Sequence, residues 1–185
     1  MKKILVAIAL CLILVCLMVS PVLAAPTDHV YGWVNGMEFN AGTFDGTNTN
    51  NAHFTAYAIM TSRPFSSGIL DVYVNYLGNG PKATGDLVNT ITGGKWTFTP
   101  PDAHKGMISG IIDNGYIKWE NFKNSATGRG LATINLSITD GTGDFAKIAK
   151  GSGSTFTGYD VHMSGFWIGN TQVPFVKDGT LKLVY

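Results

Sequence analysis

The chain carries two glutamates, Glu38 in the run GMEF and Glu120 in KWENF, and large apolar groups flank both. A carboxyl group held in a dry interior resists ionisation, so its pKa rises and it can serve as an acid or a base. Glu38 and Glu120 are therefore the candidate catalytic residues. An outward position is the competing reading. Strand alternation puts Glu120 on the same face as Lys118 and opposite Trp119, which fits that second reading. A glycosidase pair would depend on the separation of the two carboxyls in space, which their spacing in sequence does not give.

The other chemistry-bearing residue types are dispersed. His29, His53, His104 and His162 form no H-x-H or H-E-x-x-H pattern. His162-Met163 has the softness that suits copper, but without ligand spacing no metal site is expected. A serine nucleophile would need an elbow of the G-x-S-x-G type. GMISG (106–110) has its serine in the fourth place, and no helix is predicted after GSGSTF.

The glycine-rich stretch ITDGTGDFAKIAKGSGSTFTG (138–158) invites a phosphate-loop or a calcium reading. A phosphate loop aims backbone N–H groups at oxygen and is followed by a helix. Here the third glycine of G-x-G-x-x-G is missing, no Gly-Lys-Ser/Thr follows, and Asp144 would repel the anion. Calcium fares little better, because Asp140 and Asp144 lack the dense acidic series and the closing glutamate. Connection explains more residues: Asp140-Gly141 signals a turn, and Phe145 and Ile148 are spaced to seat one short helical turn on a core. No cofactor is expected.

Aromatic residues give the stronger signal. Trp33 alternates with Asn35, and Trp119 with Asn121, on two predicted strands. Aromatic faces beside amides suit a sugar platform or the wall of a ligand cavity. The candidate ligand-binding set is Trp33, Asn35, Tyr57, Trp119 and Asn121, with Trp167 as a further member. The partner would be a small, largely apolar molecule or a glycan. Core filling is the plainer use of the same rings.

These residues must be positioned by strands. GLATINLSIT (130–139) sets Ala132, Ile134, Leu136 and Ile138 against Thr133, Asn135, Ser137 and Thr139, and that period of two marks a half-buried strand. ILDVYVNYLG (69–78) and HFTAYAIMT (53–61) alternate the same way, with Ala56 and Ala58 leaving room on their face. Further strands are predicted at 30–39, 86–92, 95–99, 107–112, 116–122, 154–159, 162–168 and 180–185, broken by Gly, Asn, Asp or Pro. ITGGKWTF (91–98) and ITDGTGDF (138–145) share a pattern and read as two hairpins with the same turn chemistry. No segment has a convincing helical period.

Lys2 and Lys3 precede an uncharged run from Ile4 to Val19, then Ser20-Pro21 and small residues. That is the layout of an export signal, with cleavage expected after Ala24. Retention as a membrane anchor is the alternative, since the run is nearly long enough to span a bilayer. Both cysteines, Cys11 and Cys16, fall in residues 1–24, so residues 25–185 form no disulfide and must be held by their core. With Lys2 and Lys3 gone, basic residues no longer outnumber the 12 acidic ones. Nucleic-acid binding lacks its electrostatic footprint. Residues 25–185 are expected to form a single all-β domain that is secreted or otherwise extracytoplasmic.

LSITDGTGDFAKIAKGSGSTFTG resembles the strand–GTGxF–short turn–GxG–strand signature of the allene oxide cyclase and dirigent proteins. The resemblance implies an eight-stranded antiparallel up-and-down β-barrel with a central cavity; a β-sandwich is the alternative. It supplies no catalytic residues, because no family motif lies outside that stretch. Three functions follow as expectations. One is a non-catalytic barrel binding a small apolar ligand or acting at the cell surface. The second is a barrel isomerase or cyclase using Glu38 or Glu120, and the third is a structural or adhesive surface domain.

Overall fold

The computed structural model describes residues 28–61, 63, 65–78, 87–120, 129–162, 167–168, 171–172 and 175–185. The expected signal segment with its cut after Ala24, and Asn121, lie outside the described residues. The strands are β1 (His29–Asn40), β2 (Thr43–Phe44), β3 (Asn48–Met60), β4 (Ser67–Leu77), β5 (Leu87–Thr99) and β6 (Ile108–Glu120). They continue with β7 (Arg129–Gly141), β8 (Gly151–His162), β9 (Trp167–Ile168), β10 (Thr171–Gln172) and β11 (Phe175–Val184). Short 3-10 turns occupy Ala103–Lys105 and Gly143–Phe145.

Eight of these strands close into one antiparallel barrel, in the order β1, β3, β4, β5, β6, β7, β8, β11 and back to β1. Each neighbours the next in the chain, so the topology is up-and-down and the sandwich alternative is set aside. Closure satisfies the backbone groups that a sheet edge would leave open. β2 pairs only with the start of β3, and β9 and β10 form a separate small ladder.

Alternation decides what faces in. Phe54, Ala56, Ala58 and Met60 on β3, Leu70, Val72, Val74 and Tyr76 on β4, and Ala132, Ile134, Leu136 and Ile138 on β7 are all buried, as their sequence pattern predicts. The sequence expectation fails at two places. The segments predicted at 86–92 and 95–99 fall in the one strand β5 (Leu87–Thr99), and those predicted at 107–112 and 116–122 in the one strand β6 (Ile108–Glu120). Gly93-Gly94 and Asn114-Gly115 are not hairpin turns: they lie within the strands, beside register shifts at Ile91–Gly93 and Ile112–Asn114. At Gly94, with φ +147°, a Cβ would lie 2.0 Å from the Tyr73 carbonyl oxygen, so only glycine lets the two backbones approach. The 138–145 segment does end a strand. Phe145 is fully buried there, and Ile148 packs against the core.

The end of the barrel near Tyr185 is plugged by aromatic rings. Phe65 lies 5.5 Å from Phe145, 6.2 Å from Phe98 and 5.0 Å from Tyr185, measured between ring centroids. Above this plug, Trp96 is buried and its indole N–H is shared by the carbonyl oxygens of Ile111 and Ser137, at 3.2 and 3.3 Å. A buried indole donor without such acceptors would be costly.

Candidate binding surface

Among the described residues, the upper interior is lined by Phe54, Val74, Tyr76, Ile117, Trp119, Ala132, Ile134 and Phe156, around a void of about 40 Å³. That is room for about a water molecule, far below the roughly 300 Å³ at which small-molecule pockets begin. Trp119 is buried there as the sequence predicts, but its N–H is spent on the side-chain oxygen of Asn89 at 2.5 Å. Asn89 in turn donates to the Leu77 carbonyl at 2.6 Å. Trp119 thus belongs to a satisfied structural network.

Trp33, Asn35 and Tyr57 of the expected ligand-binding set are on the other side of the wall. Trp33 is 62% exposed, and Asn35 and Tyr57 are exposed beside it. The reason is steric: β1 turns Val30, Gly32 and Val34 inward, against Ala58 and Met60 of β3, and a tryptophan ring would not fit at that height. Yet the three outward residues do meet. Asn35 is directly opposite Tyr57 and Trp33 directly opposite Ile59, and directly opposed side chains have Cβ atoms about 5 Å apart. Tyr31 continues the row on β1 and Ile69 extends it onto β4 opposite Tyr57. Together they form one exposed band rather than scattered apolar residues, and contiguous bands of this kind mark contact surfaces. Trp167, Glu38 and Glu120 have side chains outside what is described.

On the other flank of β1 the outer wall opens into a groove of about 400 Å³. Tyr116 and Lys118 of β6, Leu131 and Thr133 of β7, Thr157 of β8 and Thr180 of β11 line it. Gly158 of β8 and Gly179 of β11, paired with one another, also line it. The register places Trp33, Thr180, Thr157, Thr133 and Tyr116 on successive strands in a single row.

A second polar cluster was not visible in the sequence. His53 Nε2 lies 2.5 Å from Asp71 Oδ1, and Thr55 Oγ1 donates to the same oxygen at 2.6 Å. The His53 ring stacks on Tyr73 at 4.1 Å, and Lys95 Nζ sits 4.8 Å above that tyrosine. This is not a nucleophilic triad: the threonine proton goes to the carboxylate, and His53 presents to Thr55 the nitrogen already engaged by Asp71. Only strand pairing, which sets Thr55 against Asp71 and His53 against Tyr73, brings these residues together.

Local hydrogen bonds hold two of the acidic groups near strand ends. Backbone N–H groups of Asn48 and Thr47, helped by the Asn50 side chain, hold the Asp45 carboxyl below its ordinary value. A hydrogen bond from Lys150 at 3.0 Å does the same for Asp140. Asp140 is therefore a partner of lysine, and no group of three or more metal-ligating side chains occurs among the described residues. Comparison with family models, with characterised proteins and with solved structures gives no match for this chain.

Proposed function

We propose that this chain is a non-catalytic binding barrel that takes a carbohydrate on its outer wall. The observation that carries the reading is the placement of Trp33: it stands exposed, next to Tyr31, Tyr57 and the amide of Asn35. An exposed indole presents a flat apolar face that gains when a ligand covers it, and the amide beside it supplies both a donor and an acceptor. Sugars offer the complement, with apolar C–H faces and a rim of hydroxyls. The void beside Trp119, about 40 Å³, is too small for a small-molecule ligand.

Export, with cleavage after Ala24, belongs to this proposal and rests on the N-terminal run from Lys2 to Ala25. Kinship with the allene oxide cyclase and dirigent barrels is likewise proposed, on the stretch 136–158 alone. The function is tested by electrophoresis of the protein through native gels containing soluble xylan, mixed-linkage β-glucan or glycol chitin. Retardation in at least one gel is expected, with loss of retardation in Trp33→Ala. Unchanged mobility in all three, or retardation that Trp33→Ala leaves intact, would refute it.

A further inference from the structure

Asp71 of β4 shares the outer face of the aromatic band, one strand away from Tyr57 of β3. We infer that Asp71 is a ligand-binding residue, whose carboxylate takes the hydroxyl donors of the sugar unit that covers Tyr57. The inference rests on the carbohydrate reading above and extends it to the group that recognises the hydroxyls.

Register fixes the neighbourhood. Tyr57 is opposite Ile69 of β4, and Thr55, two residues earlier on β3, is opposite Asp71. Leu70 and Val72 are buried on the inner face of β4, so Asp71 between them stands on the outer one, with its side chain 33% exposed. Asp71 is therefore a diagonal neighbour of Tyr57, about 7–8 Å away, within reach of one sugar ring and its hydroxyls. Trp33 of β1, opposite Ile59, is the diagonal neighbour on the other flank of Tyr57. The site thus occupies three adjacent strands, β1, β3 and β4, with Tyr57 in the middle.

The carboxylate is held as an acceptor. Thr55 Oγ1 donates to Asp71 Oδ1 at 2.6 Å, and His53 Nε2 lies 2.5 Å from the same oxygen. The His53 ring is flat against Tyr73, with 4.1 Å between centroids and 2° between planes, and so keeps its place. Oδ2 has no partner among the described residues. A carboxylate fixed through one oxygen loses little freedom when a ligand meets the other.

A carboxylate only accepts, so the ligand must donate. An ammonium group would donate as well. Lys95 of β5, however, is opposite Tyr73 with its Nζ 4.8 Å above that ring, which makes it the diagonal neighbour of Asp71 on the far side. A cationic ligand would meet Lys95 as a like charge, and an anionic one would meet Asp71. Hydroxyl groups meet neither penalty, and the ring that carries them has an apolar face for Tyr57.

Isothermal titration of the folded protein with cello-, xylo- and chitohexaose tests this, each hexaose being used free and per-O-methylated. Methylation keeps the rings and oxygens but removes every hydroxyl donor. For the hexaose that binds tightest, the parent protein should prefer the free form, and Asp71→Ala should cut that preference about tenfold or more, as expected for hydrogen bonds to a charged acceptor. Asp71→Asn, which keeps the shape of the side chain, should move it in the same direction, and circular dichroism of each variant checks the fold. Undiminished binding in Asp71→Ala, or a loss equal for the free and methylated forms, would overturn the inference and leave the carbohydrate reading standing. So would tighter, Asp71-dependent binding of the glucosamine hexamer, an ammonium ligand. Failure of all the hexamers to bind the parent would overturn both.

Discussion

Trp33 on β1 lies directly across from Thr180 on β11, and both side chains stand on the outer wall. That single pairing joins the aromatic band of β1 and β3 to the threonine row of β11, β8 and β7. It exists because the barrel closes: β1 is the first barrel strand and β11 the last, and nothing local in the sequence brings residues 33 and 180 together. Binding and folding therefore draw on opposite faces of the same strands, and substitutions on the two faces should separate cleanly.

Trp33→Ala should leave stability within about 0.5 kcal/mol of the parent, because an exposed side chain gives up little burial when removed. Urea unfolding followed by far-UV circular dichroism measures this. Saccharide retention should nevertheless be lost.

Phe145→Ala should have the reverse profile. The ring is fully buried in the plug with Phe65, and large-to-small changes of a buried phenylalanine cost about 3–5 kcal/mol. The urea midpoint should fall sharply, and what remains folded should still bind, since the plug is inside the barrel and the band is outside.

Trp96→Phe isolates a hydrogen-bond effect within the core. The ring is conserved in kind, but the carbonyl oxygens of Ile111 and Ser137 lose their shared donor. About 1–3 kcal/mol of destabilisation is expected from the unsatisfied groups, plus a smaller amount for the volume removed. A urea midpoint equal to that of the parent would show that the indole N–H contributes nothing.

Much of this was legible in the sequence. The inward sets of β3, β4 and β7 follow from alternation alone, whereas alternation fits a sandwich as well as a barrel and does not choose between them. Tyr57 could have been placed too: once Ala56 and Ala58 are inward, Tyr57 must be outward. β1 was the harder case. Its two faces are Val30-Gly32-Val34 and Tyr31-Trp33-Asn35, and the second is the bulkier and more aromatic. The interior took the small residues because β1 packs closely on β3: a Cβ at Gly36 would lie 2.2 Å from the Thr55 carbonyl oxygen. Bulges at Gly93-Gly94 and Asn114-Gly115 mimic turns in sequence, since both need glycine for backbone freedom. The His53–Asp71 contact and the threonine row depend on register between strands, which a periodic pattern does not encode.

Acid should weaken the fold through its turns. The Asp45 and Asp140 carboxyls have folded-state pKa values below their unfolded ones. Their contribution is therefore complete above the unfolded value, about 3.9, and is lost as pH falls through the lower folded value. The urea midpoint should be insensitive to these groups near neutrality and decline below about pH 4. Asp45→Asn and Asp140→Asn should each flatten that decline; an unaltered acid limb in the double variant would remove the proposed cause.

A lumenal probe should find no home. A void of about 40 Å³ beside Trp119 is too small for N-phenyl-1-naphthylamine. Titration of that fluorophore should give no saturable enhancement, and stoichiometric binding quenched by widening or filling Ala132 would place a ligand site inside the barrel.

The most direct measurement follows the indole N–H signals of the ¹⁵N-labelled protein by NMR while cello-, xylo- or chitohexaose is added. Trp33 is exposed on the wall, whereas Trp96 and Trp119 are buried in the barrel with their N–H groups bonded internally. Outer-wall binding predicts a saturable shift of the Trp33 signal with those of Trp96 and Trp119 unmoved. A shift at Trp119 with Trp33 unchanged, or no shift at any indole with all three saccharides, would contradict it.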